Sequence, residues 1–308
     1  MPLCSTMKLK HSPVTLHQFD GLSFHLKRDD KLHPLFSGNK ARKFSRLLSN
    51  PPANIDTIIS YGSAQANSLY SLAGLAKIHG WSLEYYVHNI PDWLKRQPIG
   101  NYRGALELDA TIIPVNESEH ALHPAEYIRQ IRQPNERCLV IPEGGHSPLA
   151  EEGIKQLAQE ILEYTCCQRK PFAVALPSGT GTTALYLHKH LKPFGIEVLT
   201  CACVGDAQYL TEQFRQLGED DHPTILELDH KHHFGRLNPD DYEIWCQLEE
   251  QTRVEFDLLY DPLMWRCLQQ CWAANHDREL LYIHQGGILG NESMLPRYQR
   301  EYGVKSTW

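Results

Sequence analysis

Two short segments of this chain carry residue types that group-transfer chemistry needs. The first, Ser37-Gly38-Asn39-Lys40-Ala41-Arg42-Lys43, runs into Phe44, Leu47 and Leu48 at helical spacing. Its glycine and asparagine put Lys40 at or near a helix start, where the dipole and unpaired N–H groups slightly disfavour a cation. A lysine becomes a nucleophile at neutral pH when its pKa is lowered or when it is captured as an imine. Taken alone, the heptapeptide reads equally well as a solvated basic turn. The second segment, Pro177-Ser178-Gly179-Thr180-Gly181-Thr182-Thr183-Ala184, follows an apolar strand and precedes a helix. Small residues there let backbone N–H groups close around a phosphate, and the hydroxyls add donors. It has neither a Gly-Lys-Ser/Thr ending nor dinucleotide glycine spacing. A phosphate cradle without its own lysine suits a cofactor held elsewhere by a covalent bond; the bland alternative is an ordinary glycine-rich turn.

Weaker signals lie at three other junctions. Ser60-Tyr61-Gly62-Ser63-Ala64-Gln65-Ala66-Asn67 offers an amide and helix-start N–H groups to a cofactor hydroxyl or a carboxylate. Leu259-Tyr260-Asp261-Pro262 and His284-Gln285-Gly286-Gly287 each set a polar side chain beside a turn. Tyr260 can serve as a general acid or base, or stack on a ring, or simply begin a helix with an amphipathic side chain. His230, His232 and His233, with His222 nearby, could ligate zinc, but no cysteine or carboxylate stands at a familiar metal spacing. A solvated loop is the better reading, and no metal is expected.

The elements that must position these residues alternate. Apolar, β-branched runs predict strands over Asp56–Ser60, Leu83–His88, Ala110–Val115, Cys138–Pro142, Phe172–Leu176, Glu197–Val204, Thr224–Leu228 and Leu280–His284. Helical patterns cover Asn67–His79, Pro148–Tyr164, Thr182–Lys192, Ala207–Leu217, Asp240–Val254 and Pro262–Asn275. Such alternation reads as βαβ units with a parallel sheet, in an α/β fold whose ligands bind at the carboxyl ends of strands.

Bulk properties bound the function. The chain has 308 residues, 42% hydrophobic and 22% charged, with a formal net charge of −7. That composition supports a sizeable core and argues against nucleic acid or an anionic membrane as the main partner. Met1 to Lys10 lacks an apolar stretch before a small-residue cleavage site, and no run of about 18 apolar residues occurs. A cytoplasmic location is therefore expected. The 9 cysteines are scattered without a C-x-x-C pair, so reduced and mostly buried thiols are expected.

Taken together, the segments resemble the D-cysteine desulfhydrase and 1-aminocyclopropane-1-carboxylate (ACC) deaminase family of pyridoxal-phosphate (PLP) enzymes, of the tryptophan-synthase-β-like fold, type II. The likeness runs from about Arg28 to Gly290. Ser37–Lys43 resembles the family's G-N-K-x-R-K segment and Tyr61–Asn67 its G-G-x-Q-S-N segment. Ile141–Leu149 resembles I-P-x-G-G-x-x-P-L, and Leu259-Tyr260-Asp261 falls on V-Y-x. Ser178–Thr182 falls on the phosphate loop and His284–Gly287 on H-x-G-G. The resemblance implies two open, twisted, mainly parallel-sheet domains with PLP in the cleft between them. Residues 1–44 plus 151–308 would form the larger domain and residues 45–150 the smaller. It implies that Lys40 carries PLP as a Schiff base and then moves the substrate's Cα proton. Asn67 would bond the cofactor's phenolic oxygen, and Ser178, Gly179, Thr180, Gly181 and Thr182 its phosphate. Tyr260 would face the substrate, a small amino acid held by Ser63, Gln65, Asn67 and Ser68. A homodimer is implied as well.

This chain also departs from the family. Ala66 replaces the serine of Q-S-N, a catalytic or carboxylate-contacting hydroxyl in relatives, which leaves Ser63 or Ser68 as neighbouring substitutes. After the tyrosine, deaminases carry glutamate and desulfhydrases a small hydroxyl residue, whereas here stands Asp261. In H-x-G-G they carry leucine and threonine respectively, whereas here stands Gln285. Either Asp261 or Gln285 is expected to contact the pyridine nitrogen. The activity expected is that of a lyase or deaminase acting on D-cysteine or ACC. Ala66 keeps one alternative open, a catalytically idle relative that binds PLP or an amino acid as regulator or carrier; a further alternative is a same-fold enzyme of L-amino-acid dehydration or β-replacement.

Overall fold

The computed structural model describes residues 9, 11–115, 122–230, 232–272 and 277–303. Ten strands form two open sheets. The larger sheet has the order β1-β2-β10-β7-β8-β9, built from β1 (Val14–Phe19), β2 (Leu22–Lys27), β7 (Phe172–Ser178), β8 (Glu197–Ala202), β9 (Thr224–Leu226) and β10 (Glu279–Ile283). The smaller has the order β5-β4-β3-β6, from β3 (Thr57–Gly62), β4 (Ser82–Val87), β5 (Thr111–Pro114) and β6 (Cys138–Ile141). Every pairing is parallel except β1 with β2. This is the mixed α/β, mostly parallel architecture that the alternating pattern predicts. All eight predicted strands are present with ends shifted by a residue or two, and the Asn67–His79 helix matches its expected span. The helix predicted to begin at Pro148 begins at Glu151, behind a 3-10 turn whose Leu149 N–H donates to Ser147 Oγ. The predicted end of the last helix, Asn275, lies outside the described residues.

The β1–β2 hairpin was not predicted. Its two turn residues, Asp20 and Gly21, both have positive φ (49° and 75°), the conformation a two-residue hairpin turn requires. Also unpredicted are the helices Asp92–Arg96, Gly100–Glu107, Pro124–Tyr127 and Asn291–Tyr302. No helix among the described residues is long and apolar enough to cross a membrane.

The lysine segment forms the six-residue helix Gly38–Lys43, followed at once by Ser45–Ser49. So short a helix has little stability of its own. One face, Ala41 and Phe44 continuing to Leu48, enters the apolar cluster under the smaller sheet, beside Ile58, Leu69 and Leu72. The other face sends Arg42 the opposite way. Its guanidinium is fully buried, donating to Asp29 (Nη2 to Oδ1, 2.9 Å; Nε to Oδ2, 3.0 Å) and to Glu160 on the Glu151–Thr165 helix (Nη1 to Oε1, 2.6 Å). Lys27, at the end of β2, donates to the same Glu160 carboxylate at 2.6 Å. Two cations thus meet two anions in a dry site. Close approach is enforced by glycine at two points: a Cβ on Gly38 would overlap the Asp29 carbonyl, and one on Gly153 the Arg42 carbonyl.

Burial would raise the Glu160 carboxyl, but Arg42 and Lys27 outweigh it and hold the pKa below its ordinary value. The stability this contributes is present above the unfolded carboxylate value and is lost as pH falls through the lower folded one. Replacing Arg42 by methionine is expected to cost roughly 3–5 kcal/mol at neutral pH, because two buried carboxylates lose their main partner. The deficit should shrink in acid. Urea denaturation of both proteins at neutral and acidic pH checks this; an equal deficit at both would contradict the linkage.

Candidate active site

The sequence-selected residues converge on one cavity of about 420 Å³. It opens where parallel strands of both sheets end: β3 leads into Ser63, β7 into Gly179, β8 into Val204 and β10 into Gln285. Lys40, Ser63, Gln65, Asn67, Ser68, Ser178, Gly179, Thr180, Gly181, Thr182, Tyr260, Asp261 and Gln285 all line it. It also has lining residues to which the sequence gave no role: Lys43, Asn101, Glu143, Asp257, Phe234 and Arg297.

Lys40 is 7% exposed, and its Nζ has one hydrogen bond among the described residues, a long one of 3.4 Å to Asn39 Oδ1. Burial pulls its pKa down to about 8, partly offset by the Asp257 carboxylate. One turn later, Lys43 donates to Gly144 O at 2.9 Å and to Thr180 Oγ1 at 3.4 Å. Burial, and then the neighbouring Lys40, hold Lys43 well below the usual lysine range. The cradle expected to lack a lysine therefore has one, contributed by another segment. Spacing of i and i+3 from Lys40 could have revealed it, since both amines share a helix face.

At the phosphate loop, Gly181 takes positive φ (69°) and opens the helix Thr182–Leu191. A Cβ there would collide with Phe214. Thr180 and Thr182 hydroxyls lie 3.2 Å apart. The Ser178 hydroxyl is instead bonded to Thr200 Oγ1 at 2.7 Å, behind the loop.

On the opposite wall, Asn67 starts its helix with its amide fixed from both ends: Asn101 Nδ2 donates to Asn67 Oδ1 at 2.8 Å, and Asn67 Nδ2 donates to Asp257 Oδ2 at 3.2 Å. Ala66 occupies the N-cap without a side-chain bond to the helix. Ser68 is buried, its hydroxyl 3.2 Å from the Tyr85 phenol, while exposed Ser63 accepts from the Gln65 N–H. Asn101 carried no sequence signal, for its helix is short and begins at Gly100, whose φ is 58°.

Asp257 and Asp261 face the cavity floor. Asp257 Oδ1 accepts from the N–H groups of Leu259 (2.8 Å) and Tyr260 (3.3 Å), which shapes the turn presenting the Tyr260 ring. Burial raises Asp257 to about 6 despite those bonds. Asp261 accepts from the Tyr282 hydroxyl (2.6 Å) and the Asp257 N–H (2.9 Å); burial and then Asp257 raise it to about 8. The Tyr260 phenol is pushed up by burial and by Asp257, so it holds its proton at neutral pH. Its ring lies 5.2 Å from Phe234. Gln285 Nε2 donates to Pro177 O at 2.7 Å, bridging the ends of β10 and β7. Behind it His284 is buried and held neutral, accepting at Nδ1 from Gly286 N–H and paired at Nε2 with Glu255 O. That bond helps set Gly286 and Gly287 at positive φ (71° and 92°), and a Cβ on Gly287 would run into Asn67 and Asp257.

A dry amine without a strong partner, a small-residue loop at a helix start and a second cation on that loop fit pyridoxal phosphate. Lys40 would supply the covalent anchor, Thr180, Gly181, Thr182 and Lys43 would hold the phosphate, and Asn67 would bond the ring's phenolic oxygen.

No family model matches the chain. A Thermotoga maritima protein provisionally named 1-aminocyclopropane-1-carboxylate deaminase is 24% identical over 309 residues, covering 92% of this chain and 96% of that one. The Arabidopsis thaliana bifunctional D-cysteine desulfhydrase/1-aminocyclopropane-1-carboxylate deaminase, mitochondrial, is 22% identical over 318 residues, covering 92% and 79%. Among solved structures, an ACC deaminase homologue superposes with a TM-score of 0.75 at 18% identity over 95% of each chain. Over nearly its whole length the chain is therefore similar to proteins named ACC deaminase and D-cysteine desulfhydrase, shares the fold of an ACC deaminase homologue, and is a pyridoxal-phosphate-dependent enzyme.

Proposed function

We propose that this enzyme releases ammonia and a 2-oxo acid from a small amino acid, with D-cysteine and ACC as the first substrates to consider. The observation that carries this reading is the buried, poorly partnered Lys40 amine in the same cavity as the Thr180–Thr182 loop and Lys43. From D-cysteine and water the products are pyruvate, hydrogen sulfide and ammonia. With ACC, ring opening takes the place of sulfide loss. We further propose that residues 1–44 plus 151–308 and residues 45–150 are the two bodies that enclose the cavity, and that the enzyme works as a cytoplasmic homodimer, as the family resemblance implies.

When bound, PLP supplies an electron sink that acidifies the substrate's Cα–H. Lys40 Nζ, whose unprotonated fraction near neutral pH is raised by burial, takes that proton and can return it. Tyr260 keeps its proton and offers the hydroxyl to the atom that leaves or is opened. Ser63 and the backbone N–H groups where the Asn67–His79 helix begins receive the α-carboxylate, favoured by the helix dipole. Gln285 and Asp261 approach the pyridine end, Asp261 as a largely protonated acid at neutral pH. Tyr85 and the apolar wall behind Ser68 keep water from the reacting carbon.

Lys40→Ala is expected to abolish both turnover and the visible absorbance of lysine-bound cofactor; a variant that retained either would remove Lys40 from this role. Capture of added PLP by cofactor-free protein should quicken as pH rises through about 8, because the reactive amine is the deprotonated one. Since the Asp257 carboxylate raises that pKa, Asp257→Asn should move the midpoint downward. Stopped-flow absorbance against pH reads both. Tyr260→Phe should lower kcat by about 10²–10⁴ while leaving the cofactor spectrum in place. A substrate panel of D-cysteine, D-serine, β-chloro-D-alanine, ACC and the L-amino acids, assayed for 2-oxo acid and ammonia, tests the reaction itself. Turnover of L- but not D-substrates would overturn the D-specific reading.

A further inference from the structure

Among the described residues, Arg297 is the one basic side chain of the cavity wall to which the proposed reaction gives no part. It projects from the Asn291–Tyr302 helix, one turn beyond Ser293 and Met294, which line the same cavity. That helix is anchored beside the reacting residues: Asn291 Oδ1 accepts from Leu258 N–H at 2.9 Å, and its Nδ2 donates to Phe256 O at 2.8 Å. The guanidinium itself has poor partners, Met294 Sδ at 3.1 Å and Gly235 O at 3.3 Å. The other half-buried arginines all have a carboxylate within reach: Arg28 with Asp30, Arg103 with Glu292, Arg132 with Glu84, Arg266 with Asp241 and Arg278 with Glu197. Among the described residues Arg297 alone in this class has none. A planar, always-charged fork left partly desolvated in a ligand cavity is complementary to a carboxylate, which it binds through paired, charge-assisted hydrogen bonds. The α-carboxylate does not require it, because the proposed reading gives that group to the N-terminus of the Asn67–His79 helix.

We infer that Arg297 receives a second carboxylate, at the far end of the substrate's side chain, and so selects small amino acids with an anionic side chain over neutral ones. This rests on the proposed lyase reading and narrows its substrate class. A suitable probe is S-carboxymethyl-cysteine: its Cβ–S bond breaks, sulfur leaves with the electron pair and gains a proton, and with one water the products are pyruvate, ammonia and thioglycolate.

The experiment compares both enantiomers of S-carboxymethyl-cysteine with their neutral carboxamide analogues on PLP-loaded enzyme. The expected kcat/KM ratio of acid to amide is about 10- to 100-fold, the range of a charge-assisted pair. Arg297→Gln should bring the ratio close to one and Arg297→Lys should keep part of it. Because each variant serves as its own reference, incomplete folding does not alter the ratio. A wild-type ratio near one, or a ratio unchanged in Arg297→Gln, would overturn the inference. Equilibrium dialysis of the same two ligands decides it without turnover: acid tighter than amide only when Arg297 is present supports it, and equal binding sinks it. Absence of turnover on every substrate, with the dialysis preference intact, would count against the lyase reading alone.

Discussion

The position of one reactive amine depends on four charges that never meet water. Arg42 stands two residues after Lys40, and its bonds to Asp29 and Glu160 tie the short lysine helix to the turn that follows β2 of the larger sheet and to the Glu151–Thr165 helix. Lys27 balances the second carboxylate, so the set is neutral, and Ser12 supplies further bonds through its hydroxyl and carbonyl. Such a network gains little net stability over a well-packed apolar substitute, but leaving any member unpaired is expensive. Its value here is geometric. Sliding or rotating the Lys40 helix by one residue would strand a guanidinium in the dark, whereas an apolar contact would tolerate the shift. Ala41, Phe44 and Leu48 then hold the other face in the smaller sheet's core, and Lys40 is left buried at the cavity where strands of both sheets end.

That placement governs the electrostatics of the cavity. Burial lowers the lysines and raises the acids, so Lys40 and Asp261 both come to about 8 and Asp257 to about 6. Groups that would be uniformly charged in water are thus brought close to neutral pH, where small changes in occupancy move protons. Asp257 links the two walls. Its carboxylate takes the Asn67 amide from one side and the Leu259 and Tyr260 N–H groups from the other, and it raises the affinity of Lys40 for its proton. A residue that shapes the tyrosine turn therefore also tunes the base. Geometry and proton affinity are set by the same side chain.

What could be read from the chain followed from how local each signal is. The parallel strands are apolar runs bounded by turns, and the phosphate loop is contiguous, so both were visible. The β1–β2 hairpin was equally local, since Asp20-Gly21 is a strong two-residue turn signal, and it escaped only because the flanking runs Val14–Phe19 and Leu22–Lys27 mix histidine, glutamine and serine with apolar residues. Lys43 was visible as a residue but not as a phosphate-loop neighbour, because its partner Thr180 lies 137 positions away. Asn101, Asp257 and Arg297 belong to the same class: each is an unremarkable polar residue until the two sheets bring it to one wall. No periodicity records a meeting between distant segments.

Three departures from the motifs this chain resembles sit in one place. Ala66, Asp261 and Gln285 all line the one cavity, as does Arg297. Ala66 removes a hydroxyl from the mouth, and Ser68 cannot replace it while bonded to Tyr85 behind the wall. Gln285 has turned its amide to Pro177 and so stiffens the junction of β10 and β7, where a leucine or threonine could make no such bridge. Asp261 is shorter than the glutamate of the deaminases and is held by Tyr282 and the Asp257 backbone. Lys40, Lys43 and the threonine loop, by contrast, lie on segments that match the motifs the chain resembles, and they line the same cavity. One cavity thus combines a lysine segment that matches the motif with three positions that do not, and those three differ from the motif residues in what they can donate and accept.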